Sequence, residues 1–313
     1  MKAIRIHAYG GPELMQLEDA PVPPCGAGDL LVRVVAAGIN PVDWKLRSGV
    51  MAAQVPKSFP ITLGFDAAGI VIAVGGGVAG FEPGDEVCFY AEFARGGTYA
   101  EYVAVNASQV AKKPRTVSFG HAAALPMAGQ AAWTALIETG RVERGMRVLI
   151  HGGAGALGAV AVQLAKEHGA HVTATASGDG LALVRSLGAD EVIDYRTQRL
   201  EQRARDMDIV LDTVGGPSQE ASWATLRRGG ILVATAMPPP PERAAAAGVR
   251  AAFVFTQPRG AVLAQLVQRV DDGRLRIVVG QEFAFADAAQ AHLLGESGKA
   301  RGKMILHVAA PGR

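Results

Sequence analysis

The stretch that decides the fold is RVLIHGGAGALGAVAVQLAKEHGAHVTATAS, residues 147–177. It begins with a short apolar run, 148–150, which is rich in β-branched residues and typical of a buried parallel strand. Glycines follow at once, and apolar residues then recur at helical spacing as far as Glu167. Gly169 predicts a left-handed cap at the helix end, and 172–176 is typical of the next strand. The stretch therefore predicts a strand, a glycine turn, a helix and a second strand.

The glycine turn has the spacing Gly-x-Gly-x-x-Gly at Gly153, Gly155 and Gly158. We expect Gly153 to permit the tight turn, Gly155 to let a pyrophosphate approach the backbone, and Gly158 to let the helix pack on the strand. The helix start then presents free N–H groups and the positive end of its dipole to phosphates. Because the glycines stand between a strand and a helix, they indicate a dinucleotide site rather than an ordinary Gly/Ala-rich turn.

The end of the second strand bears on which dinucleotide is bound. A site for NAD has Asp or Glu there, about 20 residues beyond the glycines, to hold the ribose hydroxyls. This chain has Ala176-Ser177-Gly178, where a hydroxyl and small residues leave room for a 2′-phosphate. We therefore predict NADP, and Asp179 is the alternative residue that would hold an NAD ribose.

Composition and charge exclude several classes of protein. The 313 residues are 49% hydrophobic and 19% charged, which suits two folded domains. The net charge of +2 comes without a basic stripe for nucleic acid. Cys25 and Cys88 provide neither a disulfide framework nor a four-cysteine zinc site. With no secretion signal and no apolar run of membrane-spanning length, we expect a soluble, cytoplasmic protein.

Periodicity divides the chain into two kinds of region. Residues 1 to about 120 contain short alternating runs separated by Gly/Pro turns, which predict a partly open barrel. Residues from there to 257 alternate apolar strands with helices, the doubly wound α/β pattern. The Pro238–Pro241 run predicts a rigid loop that ends this alternation. After an amphipathic helix at 260–270, we expect the tail to return to the first domain.

Motifs along nearly the whole chain resemble the medium-chain dehydrogenase/reductase superfamily, in its zinc-free quinone oxidoreductase branch. They are AAGINPVD (36–43), FEPGDEV (81–87), GTYAEY (97–102), ALP (124–126), the glycine turn, LGADEVIDY (187–195) and KARGK (299–303). The resemblance implies a GroES-like, partly open β-barrel catalytic domain from residues 1–122 and 258–313. It also implies a doubly wound Rossmann domain from 123–257. The implied activity is NADPH-dependent reduction of a quinone or an α,β-unsaturated carbonyl.

The resemblance also implies that no catalytic zinc is bound. Zinc-dependent members carry a cysteine after the first Ala-Gly and then a Gly-His-Glu. Here those positions fall in Asn40-Pro41-Val42-Asp43 and in Gly64-Phe65-Asp66. Because Phe65 cannot bind a metal and two aspartates are poor zinc ligands, we predict no metal site.

By the same resemblance, the cofactor is held by residues from the Rossmann segment and from both ends of the chain. Ala154, Ala156 and Leu157 would lie at the pyrophosphate with the three glycines, and Ser177 and Tyr195 at the 2′-phosphate and adenosine. The positions implied near the nicotinamide or closing on the cofactor are Asn40, Met127, Thr134, Phe253, Phe255, Lys299, Ala300 and Arg301. Read without the resemblance, Phe253 and Phe255 are also compatible with an ordinary buried strand, and Lys299 and Arg301 with a solvated turn.

Without a metal, conjugated acceptors are the expected substrates, because conjugation spreads the charge that hydride transfer places on oxygen. Candidate donors to that oxygen are Asn40, Tyr90 and a bound water, although Tyr90 is also compatible with a half-buried strand position. Two other functions stay open: a non-catalytic NADPH-binding or scaffold protein, and a zinc-type alcohol dehydrogenase. We also expect a homodimer, since 251–256 is apolar on both faces and relatives pair through this strand.

Overall fold

The structure is a computed structural model, and residues Met1–Ala309 are described. The chain forms two compact units. The first comprises Met1–Met127, Gln257–Gly273 and the segment from Ile277 onward, and the second comprises Ala128–Thr256 with Arg274–Arg276. The first division therefore comes a few residues after position 122. Within the described residues, no helix is long and apolar enough to span a membrane.

The N-terminal part of the first unit is mostly β-structure. Its elements are β1 (Lys2–Ile6), β2 (Gln16–Asp19), β3 (Asp29–Ile39), α1 (Pro41–Arg47), β4 (Ile61–Thr62), β5 (Asp66–Val74), β6 (Glu86–Tyr90), β7 (Tyr102–Asn106), β8 (Val110–Lys112) and α2 (Phe119–Ala124). Single 3₁₀ turns lie at Pro12–Leu14 and Ala107–Gln109. Helix α3 (Pro126–Trp133) and a π-helical segment, Thr134–Thr139, lead into the second unit.

The second unit alternates strands and helices. Its elements are β9 (Arg147–Ile150), α4 (Ala156–Glu167), β10 (His171–Ala176), α5 (Gly180–Ser186), β11 (Glu191–Asp194), α6 (Leu200–Arg203), β12 (Met207–Asp212), α7 (Pro217–Ser222), β13 (Leu226–Ala234), α8 (Pro241–Ala247) and β14 (Arg250–Phe253). The chain then returns to the first unit with α9 (Gly260–Asp271), β15 (Val279–Ala284), a 3₁₀ turn at Phe285–Asp287, α10 (Ala288–Glu296) and β16 (Lys303–His307).

The second unit is a parallel sheet in the order β11-β10-β9-β12-β13-β14. The order reverses at β9, the strand that runs into the glycine turn, and a ligand of a doubly wound sheet binds at this switch point. Leu149, Val210 and Leu232 lie in its buried core. The predicted doubly wound fold is confirmed.

The first unit contains a small sheet, β2-β1-β4, and a larger one in the order β15-β16-β3-β5-β6-β8, with β7 paired to β3. Strand β3 is the centre of the larger sheet, and it is antiparallel to both β5 and β16. Consequently the end of β3 lies beside the starts of β5 and β16. This architecture agrees with the predicted GroES-like domain.

One sequence prediction about the second unit is wrong. The proline run does not end the alternation, because helix α8 starts at Pro241 and leads into β14, which pairs with β13. Proline is compatible with the first turn of a helix, where its missing N–H would have no intrahelical partner. The proline run therefore leads into a helix, and the alternation of helices and strands continues through it.

Candidate active site

The glycine turn folds back tightly on itself between β9 and α4. Gly155 N–H donates to Gly152 O at 2.9 Å, and Gly153 N–H donates to Thr175 O at 2.9 Å. The left-handed residue is Gly152, with φ of 67°, and Gly153 has no positive φ. The prediction that Gly153 makes the tight turn is therefore wrong. Gly153 is needed for packing instead, since a Cβ there would lie 3.0 Å from Ala174 Cβ.

The geometry at the other two glycines is compatible with their predicted roles. A Cβ at Gly158 would lie 2.1 Å from Gly152 O, so only glycine lets α4 pack this closely on the turn. At Gly155 an added Cβ would meet only Gly152 O, at 3.3 Å, and the surface above it is open. Gly155 is the N-cap residue of α4 and provides no side-chain cap, so the first N–H groups of the helix can donate to a ligand. This geometry fits a pyrophosphate.

The predicted 2′-phosphate residues meet at the ends of neighbouring strands. Strands β10 and β11 pair so that Ala176 lies opposite Asp194. The next residues on each strand are therefore side by side, and Ser177 Oγ donates to the Tyr195 hydroxyl at 3.0 Å. The Tyr195 side chain is 59% exposed. Its own O–H can thus donate to an anion in solvent.

Arg196 is a residue that sequence reasoning missed. It follows Tyr195 directly and is exposed, while its backbone N–H donates to Asp194 Oδ1 at 3.0 Å. The residues directly after Ser177 are Gly178 and Asp179, so the local sequence offers no basic side chain there. The pairing of β10 with β11 brings the turn that carries Tyr195 and Arg196 to the end of β10.

In the first unit, three strand ends converge on Asp66. Gly38 of β3 lies opposite Asp66 of β5, and Asp66 lies opposite Tyr90 of β6. Asn40 follows β3, and Lys303 begins β16 on the other side of β3. The two donors predicted from sequence, Asn40 and Tyr90, therefore flank one carboxylate.

Asn40, Asp66 and Lys303 form a closed set of hydrogen bonds. Asn40 Nδ2 donates to Asp66 Oδ2 at 3.0 Å, and Lys303 Nζ donates to the same oxygen at 2.6 Å. Lys303 Nζ also donates to Asn40 Oδ1. These three side chains are at most 4% exposed. We call Asn40, Asp66 and Lys303 the buried triad.

The carboxylate of Asp66 is fully engaged. Its second oxygen, Oδ1, accepts from the Met127 backbone N–H at 2.9 Å, at the start of α3. Burial raises the pKa of the Asp66 carboxyl, and the Lys303 ammonium, with the N–H donors of Asn40 and Met127, opposes that rise. The motif KARGK, which ends at Lys303, does not by itself indicate this contact, because nothing in the local sequence connects Lys303 to Asn40.

Tyr90 is buried, with 1% of its surface exposed. Burial, with the nearby Asp66 and Asp43 carboxyls, raises the pKa of the Tyr90 hydroxyl above its usual range. At neutral pH the group is therefore a phenol that can donate a hydrogen bond. Its ring packs edge-on against Phe93 at a centroid distance of 5.8 Å.

The remaining predicted positions are distributed over both units. In the first unit, Met127 and Ala300 are half-buried against the core, and Lys299 and Arg301 are exposed between α10 and β16. In the second unit, Thr134 begins the π-helical segment and is half-buried, and Phe253 and Phe255 are 41% and 47% exposed. The two phenylalanines are therefore not ordinary buried strand residues.

The side chains at the implied zinc positions do not fit a zinc ion. Phe65 is 1% exposed and packs edge-on against Phe93, at 4.8 Å between centroids. Beside it, the cation that contacts Asp66 is the Lys303 ammonium. Burial raises the pKa of the Cys88 thiol to about 12, so thiolate is scarce there at neutral pH. Among residues 1–309, no group of three His, Cys, Asp or Glu side chains could hold a metal ion.

A second buried network lies behind Asn40. The Asn40 backbone N–H donates to Asp43 Oδ2 at 2.7 Å, and the Tyr99 hydroxyl donates to the same oxygen at 2.9 Å. Tyr99 also contacts His292 Nε2 of α10 at 3.3 Å. Burial raises the pKa of Asp43 to about 7. Burial, with a contribution from Arg47, lowers the pKa of His292 to about 3.

This network predicts an effect of pH on folding. His292 stays neutral in the folded chain while an unfolded histidine takes up a proton near pH 6.5, so its contribution to stability is lost as pH falls below about 6.5. Asp43 has the opposite sign: its contribution is present at low pH and is lost as pH rises towards about 7. The two effects should largely offset each other in the wild type between about pH 4 and pH 6.5.

His292→Gln should therefore become more stable relative to wild type as pH falls. Gln keeps a donor near the Tyr99 hydroxyl and cannot titrate. We expect a relative gain on the order of 2 to 3 kcal/mol between about pH 7 and pH 4.5, measured by urea unfolding at each pH. The control is the exposed His7→Gln, which removes a partner of Glu18 and should therefore show no gain in stability as pH falls. A pH-independent difference for His292→Gln would contradict the assignment.

Comparison with known proteins gives consistent matches. A family model described as "Alcohol dehydrogenase GroES-like domain" matches residues 26–115, and one described as "Zinc-binding dehydrogenase" matches residues 187–306. The chloroplastic NADPH-dependent alkenal/one oxidoreductase of Arabidopsis thaliana is 36% identical over 320 residues, covering 98% of this chain and 79% of the plant protein.

Two solved structures match over almost the full length. The quinone oxidoreductase from Coxiella burnetii matches with a TM-score of 0.92 and 35% identity, covering 99% of each chain. The Escherichia coli quinone oxidoreductase complexed with NADPH matches with a TM-score of 0.89 and 27% identity, covering 98% of this chain and 100% of the other.

Proposed function

The chain belongs to the medium-chain dehydrogenase/reductase superfamily and is an NADPH-dependent oxidoreductase, and from this we propose that it reduces a quinone or an α,β-unsaturated carbonyl without a metal ion. The relatives named as quinone and alkenal/one oxidoreductases support this substrate class. The observation that carries the metal independence is the Lys303 ammonium, which contacts Asn40 and Asp66 at the positions where zinc-dependent members hold their ion.

The second unit would hold the cofactor, which supplies a hydride when bound. The N–H groups at the start of α4 and the open backbone at Gly155 would bind the pyrophosphate. Ser177, Tyr195 and Arg196 would bind the 2′-phosphate, the last through its guanidinium. Phe253 and Phe255 stay candidates for the nicotinamide, as the resemblance implies.

The first unit would stabilise the charge that develops on the substrate oxygen. The Asn40 amide nitrogen donates one N–H to Asp66, and its second N–H would donate to the substrate oxygen. Tyr90 is a second possible donor, because it remains protonated at neutral pH. A conjugated acceptor needs only such donors, whereas a simple ketone would need a stronger electrophile to stabilise an alkoxide.

The test compares matched substrates with NADPH and NADH, before and after exhaustive chelation. Cyclohex-2-enone and a substituted naphthoquinone serve as conjugated acceptors, and cyclohexanone is the saturated control. We expect NADPH consumption with at least one conjugated acceptor, none with cyclohexanone, and unchanged rates after chelation. Stoichiometric zinc whose removal abolishes activity would refute metal independence. Inertness toward both conjugated acceptors would favour the cofactor-binding or scaffold function.

We also propose that the protein is a homodimer that pairs through β14. This strand is at the edge of its sheet, and Phe253 and Phe255 leave apolar surface exposed there. An edge of this kind tends to pair with another chain. Val254 N–H donates to Ala234 O of β13, so by strand alternation the N–H groups of Ala251 and Phe253 face away from β13.

Ala251→Pro should therefore weaken the dimer without removing a β13 hydrogen bond, because proline lacks the outward N–H. Sedimentation velocity at micromolar concentration should show a dimer for wild type and a shift toward monomer for the variant. A proline at surface-exposed Ala245 is unsuitable as a control because it would break α8. Ala3→Gly, in the other unit, is the milder control for general destabilisation. A wild-type monomer would overturn the proposal.

A further inference from the structure

We propose that Lys303 is a positioning residue that holds the side-chain amide of Asn40 in one orientation, with the oxygen engaged and one N–H kept for the substrate oxyanion. The inference rests on the proposed function, which requires the Asn40 amide to donate an N–H to the substrate oxygen, and it explains what fixes that amide in place. Lys303 does not itself need to touch substrate or cofactor.

The orientation follows from what each group can donate or accept. An ammonium only donates, so the Asn40 atom that it contacts must be the oxygen. A carboxylate only accepts, so the Asn40 atom that faces Asp66 must be the nitrogen. Rotating the amide by half a turn would place N–H groups against the ammonium and oxygen against the carboxylate. The triad therefore excludes the flipped amide.

The first unit is built to admit the lysine. A Cβ at Gly38 would lie 2.8 Å from Lys303 Cε, 3.0 Å from Asp66 Cβ and 2.4 Å from Ala123 O. Glycine thus leaves the space through which the lysine stem passes to reach Asn40. Lys303 is 2% exposed and Asp66 is fully buried.

Stability alone does not account for this arrangement. Burying an ammonium and a carboxylate removes both from water, and their mutual attraction often does no more than offset that cost. An apolar pair of similar volume can be as stable. What the charged pair adds is a fixed donor and a fixed acceptor on either side of Asn40.

A kinetic cycle tests the inference. Lys303→Met should lower kcat with cyclohex-2-enone or the naphthoquinone about as much as Asn40→Ala does, on the order of a hundredfold, while the Kd for NADPH changes less than about threefold. Combining the two changes should cost no more than either alone. The double variant Asp66→Asn/Lys303→Met removes both charges and therefore leaves no unpaired charge in the buried site. It tests the positioning of the Asn40 amide even if Lys303→Met alone fails to fold. Exposed Lys2→Met is the matched control.

The outcomes separate the inference from the proposed function. Wild-type kcat in the charge-free double variant, or losses from Asn40→Ala and Lys303→Met that multiply, would overturn the inference and leave the proposed function standing. If wild type reduces neither acceptor, the proposed function fails and the side-chain amide signals of Asn40 decide the inference. These NMR signals, assigned by their absence in Asn40→Ala, should be one sharp pair in wild type and broadened or split in the double variant. An unchanged sharp pair would overturn the inference.

Discussion

Asn40→Ala should lower kcat for a conjugated acceptor by about a hundredfold or more, and should weaken NADPH binding far less. The variant removes the amide that donates one N–H to Asp66 and whose second N–H we assign to the substrate oxygen. A donor that acts on charge present mainly in the transition state affects turnover more than ground-state binding. Steady-state kinetics with cyclohex-2-enone, together with NADPH titration by fluorescence, separates the two quantities.

A control must account for the stability that Asn40 also contributes. Its loss leaves Lys303 with one acceptor fewer in a buried site, which we expect to cost about 1 to 3 kcal/mol of folding free energy. Asn106→Ala removes a side chain that accepts from Ser108 N–H at 3.0 Å in the same unit, and it should destabilise without changing kcat. Equal losses of NADPH affinity and kcat for Asn40→Ala would show that the residue serves binding only.

Ser177→Asp should reverse the cofactor preference. The new carboxylate would stand beside Tyr195, where the 2′-phosphate is expected, and like charges a few ångströms apart in a partly buried site cost on the order of a few kcal/mol. We therefore expect NADPH affinity to fall by about a hundredfold or more and NADH affinity to hold or rise. Titration of each cofactor into each protein measures both effects.

Arg196 provides the complementary test. Arg196→Ala should weaken NADPH about tenfold and leave NADH unchanged, because only the phosphate contact is lost. Arg199→Ala, which removes an exposed arginine that pairs with Glu201, is the matched control. If wild type already binds NADH more tightly than NADPH, Ser177 is not a phosphate ligand and Asp179 holds the ribose.

The same residues show how tertiary contacts change the meaning of a sequence pattern. Ser177 is followed in sequence by Gly178 and Asp179, with no basic residue beside it, yet β10 and β11 bring it to Tyr195, next to Arg196. Likewise, the missing zinc ligands predicted only that no metal ion is bound. In the structure the Lys303 ammonium contacts Asn40 and Asp66 at these positions, and it gives them a specific arrangement of hydrogen-bond donors and acceptors.

The sequence by itself determined the features whose causes are local. The strand, glycine turn and helix at 147–169 follow from residue spacing and from the conformational freedom of glycine. Even there, the prediction placed the tight turn at Gly153, whereas the left-handed residue of the folded backbone is Gly152. The proline run was likewise predicted as a loop, whereas α8 starts at Pro241 and leads into β14, which pairs with β13.

Only the tertiary structure decided what surrounds Asn40. Lys303 lies 263 residues further along the chain, and no periodicity or motif connects the two. Antiparallel pairing of β3 with both β5 and β16 brings their ends to one point, and Gly38 leaves the space for the lysine to enter. Local spacing is set by a few neighbouring residues. A buried ion pair depends on the register between strands from distant segments of the chain. That register exists only once the whole sheet has formed.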